Sequence, residues 1–250
     1  MAIHSPIEQF LVNSMSGSFF SVAGQNVGFS NFALACVVIF VLGVMFITLP
    51  MRGQAIIPGR WQVLTEKLVG FIDDMVVNVA GSKARPFLPF IFSVFFFILL
   101  GNLLGLVPGA YTVTSQLVAN LFLSVSVIAV VLIAGFARHG FHFFHLFVPS
   151  GVPLFLVPVI APIEVVSFFI RPFSLALRLF ANMLAGHILL KVFAGMTAAV
   201  ATSGWMASVG ILPLLLNVAI VGFEVFVAFL QAYIFTILSS VYLRDAFEMH

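Results

Sequence analysis

Apolar residues fill five stretches of this chain: Asn31–Leu49, Phe87–Val107, Leu117–Ala137, a run from about Pro153 to Met196, and a last one from about Met206 to Leu243. Each reaches the roughly 20 residues that cross a bilayer as a helix, so the pattern predicts five spans. The last two are roughly 44 and 38 residues, or roughly 55–65 Å as unbroken helix. The hydrocarbon core is about 30 Å thick. Either each run is broken, for which Pro172 offers a kink point, or each helix lies strongly tilted. Residues 197–205 join them as the turn of an antiparallel hairpin. The expected fold class is all-α and polytopic.

Between the first two spans the pattern changes. Trp61, Leu64, Leu68, Phe71, Met75 and Val79 recur at helical spacing, with Glu66, Lys67, Asp73 and Asp74 between them. This predicts an amphipathic helix lying on the inner membrane surface. At the start, Ser5 to Glu8 reads as a capping box with Pro6 at the first helical position, opening a short interfacial helix.

Composition removes other classes. The chain is 62% hydrophobic and 7% charged, whereas soluble domains carry roughly 25% charge. Nothing with so few charges clothes a water-soluble surface, so residues 1–250 read as one integral membrane domain. A formal charge of +2 argues against nucleic acid as a partner. The single cysteine, Cys36, forms no intrachain disulfide. The loops set an orientation: residues 51–86 hold Arg52, Arg60, Lys67, Lys83 and Arg85, while residues 1–30, 108–116 and 197–205 hold no Lys or Arg. By the positive-inside rule the N-terminus lies outside and the C-terminus in the cytoplasm. No basic segment precedes Arg52, so the N-terminus does not read as a secretory signal; the absent transit peptide favours a bacterial inner membrane, although an organelle-encoded chain would also lack one.

Ionisable groups inside spans are costly, about 2.5–3.5 kcal/mol for a central Arg, and so are candidates for function. The fourth run holds Glu164, Arg171, Arg178, His187 and Lys191; the fifth holds Glu224. Glu164, Arg171 and Arg178 are seven apart and share a helix face. Ser174, Ala181, Asn182 and Ala185 lie on or near it, a column of small side chains that lets another surface approach closely. His187 falls about half a turn away. Asn217, Glu224 and Gln231 are again seven apart. Two such polar stripes on a helical hairpin can line a shared aqueous path. Structural roles compete: Arg171 pairing with Glu164 or snorkelling, Lys191 snorkelling, His187 and Glu224 forming a buried pair. Arg178, far from either end of its run, has the weakest structural explanation.

His139, His142 and His145 fan round a helix, and no second cluster accompanies them, so no metal site is expected. The sequence contains no HExxH motif, nucleophile elbow or Gly-rich phosphate loop. Neither catalytic residues nor a cofactor is expected.

The segments "SLALRLFANMLAGH" (174–187), "FEVFVAFLQAYIFTILSSVYL" (223–243) and "GNLLGLVPG" (101–109) resemble subunit a of rotary F-type ATP synthases. The resemblance spans roughly residues 30–245. It implies a proton-translocating stator beside a rotating ring of c subunits, each with a mid-membrane carboxylate, and b-type peripheral stalk subunits as further partners. Two offset half-channels would connect that carboxylate with water on each side. Arg178 matches the family's essential arginine; His187 and Glu224 match the polar groups of the outer half-channel. In some relatives the acid stands first and the histidine second, so the resemblance leaves open which of the two carries the proton. Glu164, Arg171, Asn182, Gln231 and Asn217 complete the expected proton-translocation set, with Glu164 suited to the inner exit.

Physics agrees with that implication. A ring carboxylate in lipid is neutral, because desolvation raises its pKa. A guanidinium at 4 Å attracts its ionised form by about 4 kcal/mol at an effective dielectric of about 20, or roughly three pKa units. Arg does not deprotonate, so protons cannot hop through it and must ride the ring. A stand-alone proton-coupled transporter is the alternative; it would need a substrate cavity and usually an internal repeat, and no repeat shows. An intramembrane enzyme would need a nucleophile or metal set.

Overall fold

In the computed structural model, residues 20–22, 25–27, 29–51, 59–107, 110–140, 155–201 and 211–247 are described. The expected helix at Ser5–Glu8, together with His142 and His145, lies outside them. A small antiparallel hairpin, β1 (Phe20–Val22) and β2 (Gln25–Val27), pairs Phe20 with Val27. Among the described residues six α-helices follow: α1 (Asn31–Met51), α2 (Arg60–Ala80), α3 (Leu88–Gly105), α4 (Leu117–His139), α5 (Val157–Ala201) and α6 (Ile211–Phe247). Short 3₁₀ segments cover Ser82–Phe87 and Val113–Ser115. Five helical segments, Asn31–Pro50, Ser82–Gly105, Leu117–His139, Val157–Val200 and Leu214–Phe247, are long and apolar enough to cross a membrane. The chain is an all-α polytopic membrane protein.

Neither long run is broken. α5 continues through Pro162 and Pro172 for 45 residues, and α6 runs for 37. At 1.5 Å per residue these are about 67 and 56 Å long, twice the hydrocarbon thickness. α6 also outlasts its apolar run, carrying Arg244 and Asp245 in its last turn.

The chain divides into two compact units, each assembled from separated segments. The first comprises Met1–Val44, Phe97–Gln116 and Leu179–Gln231; the second comprises Met45–Phe96, Leu117–Arg178 and Ala232–His250. In the first, Ile39, Ile98, Val113, Leu179, Met183 and Ala228 are buried. α6 is inside-out there by the standards of water. Leu212, Leu214, Leu215, Leu216, Val218, Val221, Phe223, Val225 and Phe226 are exposed, while Glu224 is buried and Asn217 half-buried. Hydrocarbon solvates the apolar face without cost, so the polar stripe is what turns inward.

In the second unit Ile72, Val76, Ile91, Phe95, Val127, Val131 and Phe235 form the core. The buried hydroxyls of Thr236, Ser239 and Ser240 donate to the carbonyls four residues back, those of Ala232, Phe235 and Thr236 (2.6, 2.8 and 2.9 Å). They satisfy themselves locally and act as small residues that permit close helix packing.

The predicted helix in 51–86 is α2. Its side chains divide between two surfaces. Thr65, Ile72, Met75, Val76 and Ala80 are buried against the protein. Trp61, Leu64 and Phe71, from the predicted apolar stripe, remain exposed, as suits a face turned to the membrane interface. Gly81 ends α2 at φ 76°, a left-handed conformation that favours glycine, and its N–H caps the Val77 carbonyl at 3.0 Å. The corner is then clamped by Arg85, which donates to both oxygens of Asp73 at 3.1 and 2.6 Å.

Candidate functional site

The polar residues of α5 and α6 gather in each unit separately. In the second unit Arg171 is the hub. Its Nη2 donates to Glu164 Oε1 at 3.2 Å, one seven-residue step along α5. Its Nη1 stands 3.7 Å from Asp245 Oδ2 on α6. The guanidinium carbon lies 5.9 Å from the centre of the Tyr242 ring. Pairing therefore explains Arg171, as one of its expected roles had it, but with two carboxylates instead of one. Asp245 sits just beyond the last long apolar run of the sequence. Only continuing the helical register past Leu243 would have flagged it.

Arg178, the last residue of this unit's share of α5, is different. Its side chain is exposed. It lies within electrostatic range of the buried Tyr242, yet among the described residues it makes no hydrogen bond and no ion pair. The residues beside it on that face, Ser174 in this unit and Ala181, Asn182 and Ala185 in the other, are also exposed. Elsewhere around this part of α5 the exposed large side chains Phe169, Ile170, Phe173 and Leu177 are apolar.

In the first unit His187, Glu224 and Gln231 are buried, each under 10% exposed. Glu224 lies against Gly186, where the missing side chain leaves the space its carboxylate occupies. Among the described residues both carboxylate oxygens lack a hydrogen-bond partner, so Glu224 and His187 are not the hydrogen-bonded pair considered above. His187 Nε2 instead meets the Thr112 hydroxyl at 3.2 Å. A cavity of about 270 Å³ adjoins it, lined by Gly105, Ala110, His187, Lys191, Asn217 and Val221, among others. The Asn217 Oδ1 atom is buried and, among the described residues, unpartnered. On α3, Asn102 is fully buried, donates to the Ala228 carbonyl at 3.4 Å, and keeps an unpartnered Oδ1. Such orphaned acceptors are what ordered water or a transient proton donor satisfies.

Thr112 and Asn102 were not singled out from the sequence. Asn102 carried a signal, as a lone amide inside an apolar span. Thr112 carried none, since a loop threonine is ordinary.

These arrangements sit on motifs found in known proteins. Residues 32–244 match the family model for the ATP synthase A chain. The chain belongs to that family. It is 44% identical to ATP synthase subunit a of Erythrobacter litoralis over 254 residues, covering 98% of this chain and 97% of the relative. It is 46% identical to ATP synthase subunit a of Rhizobium rhizogenes over 244 residues, 97% of each. The same protein of Azorhizobium caulinodans is 46% identical over 242 residues, 96% of each.

Proposed function

We propose that this chain is the proton-translocating stator subunit of an ATP synthase, working against a rotating ring of c subunits and held by b-type peripheral stalk subunits. The observation that carries this reading is the state of Arg178: exposed, with no acidic partner among the described residues. A charge left unmated in lipid is costly. A carboxylate supplied by another chain repays that cost each time it arrives ionised.

The two polar groups then divide the work. The cavity beside His187 and Asn217 admits water from one side, and buried His187 and Glu224 exchange protons with the ring carboxylate. Asn102 and Gln231 offer polar contacts along that path. On the other side the carboxylates of Glu164 and Asp245, organised by Arg171, receive the proton. Asn182 lies on the face presented to the ring. Arg178 favours the ionised ring carboxylate near it, and, because it does not deprotonate, blocks direct passage between the two paths. The excess of Lys and Arg in residues 51–86 supports an N-terminus outside and a C-terminus in the cytoplasm, in a bacterial inner membrane.

Purification of the chain from its native membrane tests this. A bound ring of small helical hairpins with a mid-membrane carboxylate is the expected result. Isolation as a self-sufficient proton-coupled transporter would overturn the reading.

A further inference from the structure

The segment between α3 and α4 is built to hold one hydroxyl in place. The carbonyl of Thr112 accepts from the Ser115 hydroxyl at 2.6 Å and from the Ser115 N–H at 3.3 Å. Its neighbour Tyr111 stands edge-on to Phe32 of α1, with centroids 6.3 Å apart, and its hydroxyl accepts from Gln116 Nε2 at 2.7 Å. Thr112 is 4% exposed and its hydroxyl ends 3.2 Å from His187 Nε2. Gly105 makes the approach possible. A Cβ there would stand 2.6 Å from Thr112 Cγ2, 2.8 Å from its hydroxyl and 3.1 Å from His187 Nε2.

We propose that Thr112 is a positioning residue for His187, holding the imidazole by Nε2 at the cavity wall through both of its protonation states. A hydroxyl is suited to this because it both donates and accepts. It donates to a bare Nε2 and accepts from a protonated one by a rotation about its C–O bond. A carboxylate there would favour the imidazolium, and an N–H donor would favour the neutral ring. Thr112 does neither, so the ring can gain and lose a proton without leaving its place. The other titratable groups on the surrounding elements of this unit are Lys191 on α5, Glu224 on α6, Cys36 on α1 and Tyr111 beside Thr112. This inference rests on the proposed role of His187 in proton transfer.

The test is passive proton conduction by the membrane sector in vesicles as a function of pH, with the assembled complex quantified separately. Thr112→Val keeps the shape and removes the hydroxyl; it is expected to lower conduction about tenfold and displace the pH midpoint, as loss of a buried hydrogen bond implies. Thr112→Ser is expected to restore both. Gly105→Ala should resemble Thr112→Val, because its methyl displaces the hydroxyl. Where Thr112→Val does not assemble, Thr112→Ala carries the same comparison with Thr112→Ser. Conduction and pH profile unchanged in the valine variant, or a serine variant no better than valine, overturns the inference. If His187→Ala also conducts normally, the assigned role of His187 fails first; if His187→Ala is blocked while Thr112→Val is normal, only the positioning role is lost.

Discussion

Gly186 is the socket of Glu224: a Cβ added to the glycine would overlap the Glu224 Oε1 atom and stand 2.9 Å from its carboxyl carbon. The carboxylate has little slack, since Glu224 is 7% exposed. Gly186→Ala is therefore expected to displace the carboxylate and cut proton conduction at least tenfold, while Glu224→Gln, which keeps the volume, assembles normally but conducts slowly. Vesicle measurements on both variants check this. A fully active Gly186→Ala would show that the position of Glu224 does not matter.

Removing the unmated guanidinium should separate proton flow from synthesis. Arg178→Ala is expected to abolish proton-driven ATP synthesis, leaving passive leak or no flow. Arg178→Lys keeps a charge but loses the planar fork and should recover little. The measurement is ATP formation against an imposed pH gradient; normal synthesis in the alanine variant would remove Arg178 from the mechanism.

Arg171 joins α5 to the end of α6 through Glu164 and Asp245, each about one-third exposed. Arg171→Ala removes the cation shared by Glu164 and Asp245, with Arg244 still 4.0 Å from Asp245. It is expected to cost about 1 kcal/mol or somewhat more, the upper range for partly exposed pairs acting together. Thermal unfolding of the purified complex reads this out. Arg171→Lys should recover part, because one ammonium cannot serve both acids as the fork does.

The α2–α3 corner has a defined pH response. Hydrogen bonding to Arg85 holds the Asp73 carboxyl below its ordinary value of 3.8. A depressed folded-state value means that the stabilisation is present above pH 3.8 and is lost as the pH falls through the folded value. The effect is small and salt-sensitive, because Arg85 is 65% exposed. Asp73→Asn should thus lower thermal stability slightly at neutral pH, and the difference from wild type should vanish in acid and in high salt. A difference that persists below the folded value would refute the assignment.

The sequence by itself determined the spans and the polar inventory. Bilayer thickness imposes a length rule that can be read in one dimension, and hydrocarbon makes every ionisable residue conspicuous, so Arg178, His187 and Glu224 stood out before any folding. The seven-residue spacing also indicated that Asn217, Glu224 and Gln231 share a face, and they are the residues α6 turns inward. Tertiary structure alone decided the partners. Thr112 meets His187 across 75 residues, Asp245 joins Glu164 on Arg171, and Gly186 gives up its volume to Glu224. Helical periodicity says which way a side chain points but not what it meets, because that depends on how separate helices and a short loop pack together.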